Sequence, residues 1–248
     1  MLLRTVLNTR PEKGVFDDLL HEAGRTVLHV PMLRIEDPER WDALDAALDR
    51  PAQWDGIVLT SPIAARYFAR RVEERHIDPT DLPPLHTIGM PTAAAARRGG
   101  LQPVTIAASS YGADMPADLG DVNGRRFLQP CSPIARDEIV AAIEERGGHV
   151  EQIAAYRVLP PDAEAVEQLR HFAERRDFDC VAFFSPSAVQ HFIDVLPDFA
   201  QGNIVVAVIG RTTGEAATNA GLRVDILPAQ QSAEAVAEAI LRFAASAN

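Results

Sequence analysis

The chain has 248 residues, 47% of them hydrophobic and 24% charged, which is ordinary for a globular protein that buries one large core or two modest ones. Its formal net charge of −11 argues against a general nucleic-acid surface or an anionic-membrane surface, but permits a local basic pocket for an anionic ligand. Isolated Cys131 and Cys180, an N-terminus without a signal-peptide pattern and the lack of a long apolar run predict a reduced, cytoplasmic protein outside the membrane.

The first half of the chain predicts alternating strands and helices. An apolar stripe from Val15 to Ala23 predicts a helix that ends at Gly24, because glycine favours the left-handed conformation just after a helix. Ser61 and Pro62 predict another helix start, since serine caps a helix and proline fits its first turn. The strand candidates are RTVLN from Arg4, TVLHV from Thr26, GIVLT from Gly56, LHTI from Leu85 and PVTI from Pro103.

The second half predicts the same alternation. One helix ends before Gly147, another starts at Ser185 and Pro186, and the last follows Ser232. The strand candidates are RRFLQ from Arg125, HVEQIAAYRV from His149, CVAFF from Cys180, IVVAVI from Ile204 and RVDIL from Arg223. Most of these runs are continuously apolar, which is typical of strands covered on both faces. The chain is therefore predicted to form α/β layers around parallel sheets.

An internal repeat explains this similarity between the halves. DGIVLTSPIAARYF from Asp55 matches DCVAFFSPSAVQHF from Asp179, and IGMPTAAAARRGG from Ile88 matches IGRTTGEAATNAG from Ile209. Ser61 and its counterpart Ser185 are 124 residues apart. Ile88 and Ile209 are 121 residues apart, and this nearly equal offset indicates duplication of a unit of roughly 120 residues. Two similar α/β domains with a ligand cleft between them are the expected result.

Two divisions of the chain into domains are compatible with the repeat. The simpler one cuts near Asn123-Gly124 and gives two consecutive domains. In the other, PMLRIEDP from Pro31 and AAYRVLPP from Ala154 pair antiparallel as a two-stranded hinge. The first 34 residues then belong with the C-terminal part of the chain, and the middle of the chain forms the second domain.

Hydroxyl and guanidinium groups recur where predicted strands lead into helices. In an open parallel sheet these carboxyl-end turns line the ligand crevice, and the free N–H groups of a helix start attract anions. Helix capping alone explains any single turn equally well, but three turns in each repeat favour a cleft for carboxylates or phosphates. The candidate binding residues are Thr9, Arg10, Ser61, Thr92, Ser132, Arg136, Ser185, Ser187, Arg211, Thr212 and Thr213.

The sequence contains no motif for a standard catalytic centre. GxGxxG, Walker, GxSxG and HExxH patterns are absent, and the seven histidines lack metal-ligand spacing. Tyr156, one of three tyrosines, lies in the possible hinge segment. A packing role and a functional role are equally compatible with that position.

In this order and spacing, the motifs resemble the uroporphyrinogen-III synthase family over nearly the whole chain. The resemblance rests on TRP at Thr9, the Ser-Pro turn at Ser61, and AAYRV from Ala154. It continues through IGMPTAAA, FFSPSAV, IGRTTGEA and the helix after Gln231-Ser232. Met90-Pro91 and Ile63-Ala64 depart from the family pattern.

The resemblance implies two flavodoxin-like α/β domains joined by a two-stranded linker, with residues 1–34 plus 158–248 in one domain and 37–154 in the other. It implies that hydroxymethylbilane, a linear tetrapyrrole, is cyclised with inversion of ring D and loss of water to uroporphyrinogen III, without metal or organic cofactor. Tyr156 carries over as the catalytic residue, and Ser61, Thr92, Ser185 and Thr213 carry over as cleft hydroxyls. We expect a monomer that takes its substrate in a transient handover from the upstream deaminase.

Two other functions compete with this interpretation. A two-lobed binding or sensor protein without catalysis shares the duplicated lobes and the hinge, but periplasmic binders are made with signal peptides, a pattern not found at this N-terminus. A nucleotide or flavin protein shares the α/β fold, but a glycine-rich phosphate loop is missing and aromatic residues near the turns are few.

Overall fold

A computed structural model describes residues 3–107, 119–133 and 138–246. The strands, in chain order, are β1 (Thr5–Asn8), β2 (Thr26–His29), β3 (Arg34–Glu36), β4 (Gly56–Leu59), β5 (Leu85–Ile88), β6 (Pro103–Ala107), β7 (Arg126–Cys131), β8 (His149–Ala154), β9 (Arg157–Leu159), β10 (Cys180–Phe183) and β11 (Val205–Val208). The helices are α1 (Val15–Glu22), α2 (Asp42–Leu48), α3 (Pro62–Glu74), α4 (Gly89–Arg98), α5 (Glu138–Glu144), α6 (Ala163–Arg175), α7 (Pro186–Val195), α8 (Arg211–Asn219) and α9 (Ala233–Ser246).

The chain divides into two compact units that do not follow the repeat boundary. Unit 1 consists of Met1–Arg34 and Leu159–Asn248, and unit 2 consists of Ile35–Val158. The chain passes between the units through β3 and β9, which pair in a two-stranded sheet. This pairing confirms the expected two-stranded linker.

Each unit contains a parallel sheet built from parts of both repeats. In unit 1 the strand order is β11-β10-β1-β2, and in unit 2 it is β6-β5-β4-β7-β8. Each sheet therefore combines the first two strands of one repeat with the later strands of the other. Both sheets have doubly wound orders. Read from β2 and numbered in chain order, the unit 1 sheet has the flavodoxin-like order 2-1-3-4, whereas the unit 2 sheet, read from β6, has the order 3-2-1-4-5.

Two strand predictions need correction. The segment RVDIL from Arg223 does not form a regular strand, and contributes only a parallel bridge from Ile226 to Ala207. The segment HVEQIAAYRV does not form one strand, but is divided between β8 and β9. The division occurs at Ala155 and Tyr156, which lie in the apolar core of unit 2.

Helices cover the sheets where the apolar stripes predict it. In unit 1, Phe16 and Leu20 of α1 pack with Val236 and Ile240 of α9 against the sheet. The helix α1 ends where predicted, and Gly24 just beyond it has a φ of 72°. That left-handed conformation costs little only for glycine, so the chain can turn directly from α1 into β2.

The stability of unit 2 is expected to fall in mild acid because of His86. This β5 side chain is 8% exposed, its Nδ1 has no hydrogen-bond partner among the described residues, and burial lowers its pKa. The unfolded chain binds a proton near the ordinary pKa of about 6.5, whereas the folded chain resists it. The free energy of unfolding should therefore be constant above that pKa and decline as pH falls below it.

Urea unfolding at pH 7, 6 and 5 measures this dependence. His86→Leu should lose part of the decline, whereas His171→Leu, at an exposed position, should retain all of it. An identical pH dependence in wild type and His86→Leu would show that other groups cause the loss of stability.

Candidate functional site

At the carboxyl edge of the unit 2 sheet, Ser61 caps α3. Its Oγ accepts a hydrogen bond from the Ala64 N–H at 3.1 Å, and Pro62 occupies the first helical turn. The hydroxyl of Tyr156 lies 3.5 Å from the same Oγ, although the two residues are 95 positions apart. The contact arises because β4 and β8 are in one sheet and all its strands run parallel. The structure thus brings together two predicted site residues.

Packing holds Tyr156 in place. The side chain is 8% exposed, and its ring centroid lies 5.6 Å from that of Tyr67 at an angle of 40°. The Tyr67 hydroxyl in turn donates to the Ile35 carbonyl at 3.0 Å. Tyr156 is therefore not an aromatic with a loose surface hydroxyl, because both its ring and its oxygen have defined neighbours.

The other predicted residues of unit 2 follow neighbouring strands. Thr92 lies in the first turn of α4 and Ser132 directly after β7, and the two are 2% and 7% exposed. Thr92 does not cap its helix in the way that Ser61 does, because α4 starts without a side-chain cap. Arg136 lies outside the described residues.

In unit 1, hydroxyl groups lie after β10 and β11. Ser185 caps α7 by accepting the Ala188 N–H at 3.1 Å, and Ser187 is exposed in the same helical turn. Thr213 of α8 is 3% exposed, whereas Thr212 beside it is exposed. The two strands are neighbours, so these turns lie at one edge of the sheet.

Arg211 has an intramolecular partner. Its Nε lies 3.1 Å from Glu215 Oε1 one helical turn away, and its side chain is 87% exposed. A pair so exposed contributes little free energy, so an incoming carboxylate could displace Glu215 at small cost.

Thr9 has a structural hydrogen bond. The residue is fully buried, and its Oγ1 donates to the Ala182 carbonyl at 2.7 Å. This bond joins the ends of β1 and β10 and engages the hydroxyl proton. The proton of the Thr9 hydroxyl is therefore engaged within the fold, and the expected role of Thr9 in substrate binding stays a prediction.

Arg10 presents a positive charge at this edge without an ion pair among the described residues. Its guanidinium carbon lies 5.3 Å from the ring centroid of Phe184, and its buried Nη1 lacks a hydrogen-bond partner there. The predicted Thr-Arg-Pro turn does not start a helix directly, because α1 begins only at Val15 after Gly14. The intervening loop instead carries Arg10 over the aromatic ring.

Sequence reasoning missed the neighbours that order these groups. Phe184 lies under Arg10, and Tyr67 lies against Tyr156. Asn8 and Asp17 are buried and joined by a hydrogen bond. Of these neighbours, only Asn8 could have been found from the sequence, because a polar residue at the end of an apolar strand is expected at the edge of the sheet.

Over the described ranges, no group of three histidine, cysteine, aspartate or glutamate side chains could hold a metal ion. The same residues include no helix long and apolar enough to cross a membrane. Cys131 and Cys180 are both buried and free of disulfides.

Comparison with protein families matches residues 15–238 to the model described as uroporphyrinogen-III synthase HemD. The uroporphyrinogen-III synthase of Chlorobaculum parvum is 26% identical over 252 residues, covering 96% of this chain and 100% of that protein. The enzyme of the same name from Synechococcus elongatus is 26% identical over 236 residues, covering 90% of this chain and 84% of its own length.

Solved structures of similar fold include a mutant uroporphyrinogen III synthase from Thermus thermophilus. It has a TM-score of 0.65 and 18% identity, and the match covers 99% of this chain and 100% of that one. A uroporphyrinogen-III synthetase from Helicobacter pylori has a TM-score of 0.64 and 14% identity, with 97% and 99% covered. At these identities the two structures support the fold.

Proposed function

Because the chain belongs to the uroporphyrinogen-III synthase family, whose model spans most of its length, we propose that it converts hydroxymethylbilane to uroporphyrinogen III. The protein is thus an enzyme of tetrapyrrole biosynthesis, and the reaction is a lyase reaction that eliminates water. The observation that carries the site assignment is the 3.5 Å contact between the Tyr156 hydroxyl and Ser61 Oγ at a carboxyl sheet edge.

The first chemical step of the proposal is loss of the hydroxyl group from the hydroxymethyl carbon of ring A. The C–O bond breaks, the oxygen takes a proton and leaves as water, and the pyrrole nitrogen supplies the electron pair and releases its own proton, which forms an azafulvene. Tyr156 is the proposed proton donor to the leaving oxygen, and Ser61 Oγ orients its hydroxyl. A tyrosine suits this role because its phenolic O–H is a hydrogen-bond donor.

Ring closure then depends on positioning. The substituted carbon of ring D attacks the azafulvene carbon and forms a spiro intermediate. The bond from that carbon to the methylene bridge of ring C then breaks and leaves an azafulvene on ring C. The free α-carbon of ring D attacks this methylene and loses its proton, so ring D is inverted. The electron-rich pyrroles supply the reactivity, so the enzyme gains most by holding ring D in the orientation for this attack. A site made of helix starts and hydroxyls, without a nucleophile, is sufficient for such catalysis.

The eight carboxylates of the bilane explain the anion-binding character of the turns. The helix starts at Ser61 and Ser185 offer backbone N–H groups, and Arg10 offers a cation that forms no ion pair with the residues that the structure describes. Hydrogen bonds from Thr92, Ser132, Ser187, Thr212 and Thr213 are part of the same proposal. That these groups line one cleft stays a prediction.

A coupled assay with the preceding deaminase tests the function. We expect the purified protein, without added metal or cofactor, to direct bilane to the type III isomer, whereas spontaneous closure gives type I. A binding or sensor protein would leave only type I. Exclusive type I product at high enzyme concentration would refute the proposal.

The proposal extends to a partner, the upstream deaminase, and to a location, the cytoplasm. The deaminase that releases the bilane is the proposed source of substrate by transient handover to a monomer. Two buried cysteines that form no disulfide are compatible with the reducing cytoplasm.

A further inference from the structure

The Arg10 guanidinium forms no ion pair within the described portion of the chain and lies 5.3 Å from the ring centroid of Phe184. It is part-buried, its Nη1 is inaccessible and unpaired within the described portion of the chain, and the face of Phe184 is its main neighbour. The ring of Phe184 is itself fixed edge-on by Phe16 at a centroid distance of 5.1 Å. A cation–π contact with an aromatic face holds a guanidinium in place, and the charge of the guanidinium stays available to a carboxylate.

A buried polar pair controls the backbone beneath Arg10. Asn8 is fully buried and Asp17 is 3% exposed, and Asn8 Nδ2 donates to Asp17 Oδ1 at 2.9 Å. The Arg10 N–H donates to Asn8 Oδ1 at 2.9 Å, and the Gly14 N–H donates to Asp17 Oδ2 at 2.9 Å. Both ends of the loop between β1 and α1 are therefore tied to one hydrogen-bonded pair.

A third contact holds the same loop. The Arg10 carbonyl lies 2.9 Å from His29 Nε2 at the end of β2. Side-chain contacts thus engage both polar groups of the Arg10 peptide backbone. A buried carboxylate is costly unless it is fully hydrogen-bonded, so a pair that served only to fill space would be better replaced by apolar side chains.

We infer that Asn8 and Asp17 are positioning residues that set the backbone of Arg10 so that its guanidinium binds one substrate carboxylate. The inference rests on the proposed function, because the carboxylate belongs to the bilane. Asn8 and Asp17 do not touch the substrate in this arrangement. Their effect reaches it only through Arg10.

The decisive experiment is a cycle of Arg10→Gln, Asp17→Asn and the double variant, assayed with enzymatically generated bilane. Arg10→Gln should raise KM about 10- to 100-fold, because a charge-assisted hydrogen bond used in binding is lost, and kcat should stay within about two-fold of the wild-type value. Asp17→Asn should raise KM about 3- to 30-fold, because one amide cannot accept both N–H donors. In the double variant KM should equal that of Arg10→Gln alone.

A merely structural role predicts a different outcome. In that case Asp17→Asn lowers the melting temperature and multiplies the effect of Arg10→Gln, and the inference is overturned. Asp18→Asn is the matched control, since it removes the same charge from an exposed position of the same helical turn. Its KM should equal that of the wild type.

Exchange of the side chains of Asn8 and Asp17 distinguishes a positioning effect from simple misfolding of the single variants. In Asn8→Asp combined with Asp17→Asn, aspartate at position 8 accepts both the Arg10 N–H and the new amide, and the amide oxygen at position 17 accepts the Gly14 N–H. Every hydrogen bond is restored, so KM should return to within about three-fold of wild type. Asn8→Asp alone opposes two carboxylates and should be impaired. An exchange variant as impaired as either single variant would contradict the inference.

Wild-type activity separates the two proposals. If the wild type yields only type I isomer, the proposed function fails. If the wild type is active and the KM effects of Arg10→Gln and Asp17→Asn multiply in the double variant, only the positioning role fails.

Binding of uroporphyrin III, a stable octacarboxylate, is measured by quenching of intrinsic fluorescence. Asp17→Asn should weaken this binding in the wild-type background, but should not weaken it further in the Arg10→Gln background.

Discussion

Tyr156→Phe is expected to lower the turnover of bilane to type III isomer about 10²- to 10⁴-fold, the usual contribution of a positioned general acid. The substitution removes only the hydroxyl that lies 3.5 Å from Ser61 Oγ. The ring can keep its place against Tyr67, so the melting temperature should change little. Water that replaces the lost hydroxyl as proton donor would bring the effect to the lower end of this range.

Tyr67→Phe is the matched control for this experiment. It removes a hydroxyl from the neighbouring ring, but that group donates to the Ile35 carbonyl. The control should therefore lose about 0.5–1.5 kcal/mol of unfolding free energy and keep its turnover. Thr213→Ala should mainly weaken binding, by about 0.5–1.5 kcal/mol. If Tyr156→Phe, Ser61→Ala and Thr213→Ala all retain full turnover, positioning by backbone groups suffices and the assignment of Tyr156 is wrong.

Phe192→Ala is expected to produce a large loss of stability, about 3–5 kcal/mol in urea unfolding. The ring is fully buried, with centroid distances of 5.2 Å to Phe183 and 5.0 Å to Phe199. Truncation leaves a cavity between α7 and β10 that surrounding rings fill only in part. Since Ser185 caps the same helix, the variant should also weaken substrate binding in the molecules that remain folded.

Phe192→Leu tests whether volume causes the loss. It keeps most of the apolar volume, so its cost should be smaller, about 1–2 kcal/mol. Equal losses in both variants would show that the edge-to-face ring contacts are the main source of stability. A loss below about 1 kcal/mol in Phe192→Ala would show that the site collapses around the missing ring.

Local signals in the sequence were sufficient for most elements. The Ser-Pro pairs at Ser61 and Ser185 cap α3 and α7 as predicted, because capping depends on a serine oxygen and a backbone N–H three residues away. The continuous apolar runs form buried parallel strands for a similar reason, since each run is covered on both faces. The signal failed at Arg223, where alternating polar residues leave only a bridge.

The family, the α/β class and the candidate hydroxyls were therefore determined by the sequence alone, since capping, apolar runs and motif order are local or additive properties. Tertiary structure decided how the repeats combine into units and which side chains meet. The contact of Tyr156 with Ser61 spans 95 residues, and that of Thr9 with Ala182 spans 173. Such contacts depend on which strands are neighbours in a sheet, and strand order is set by packing of the whole chain rather than by any short segment.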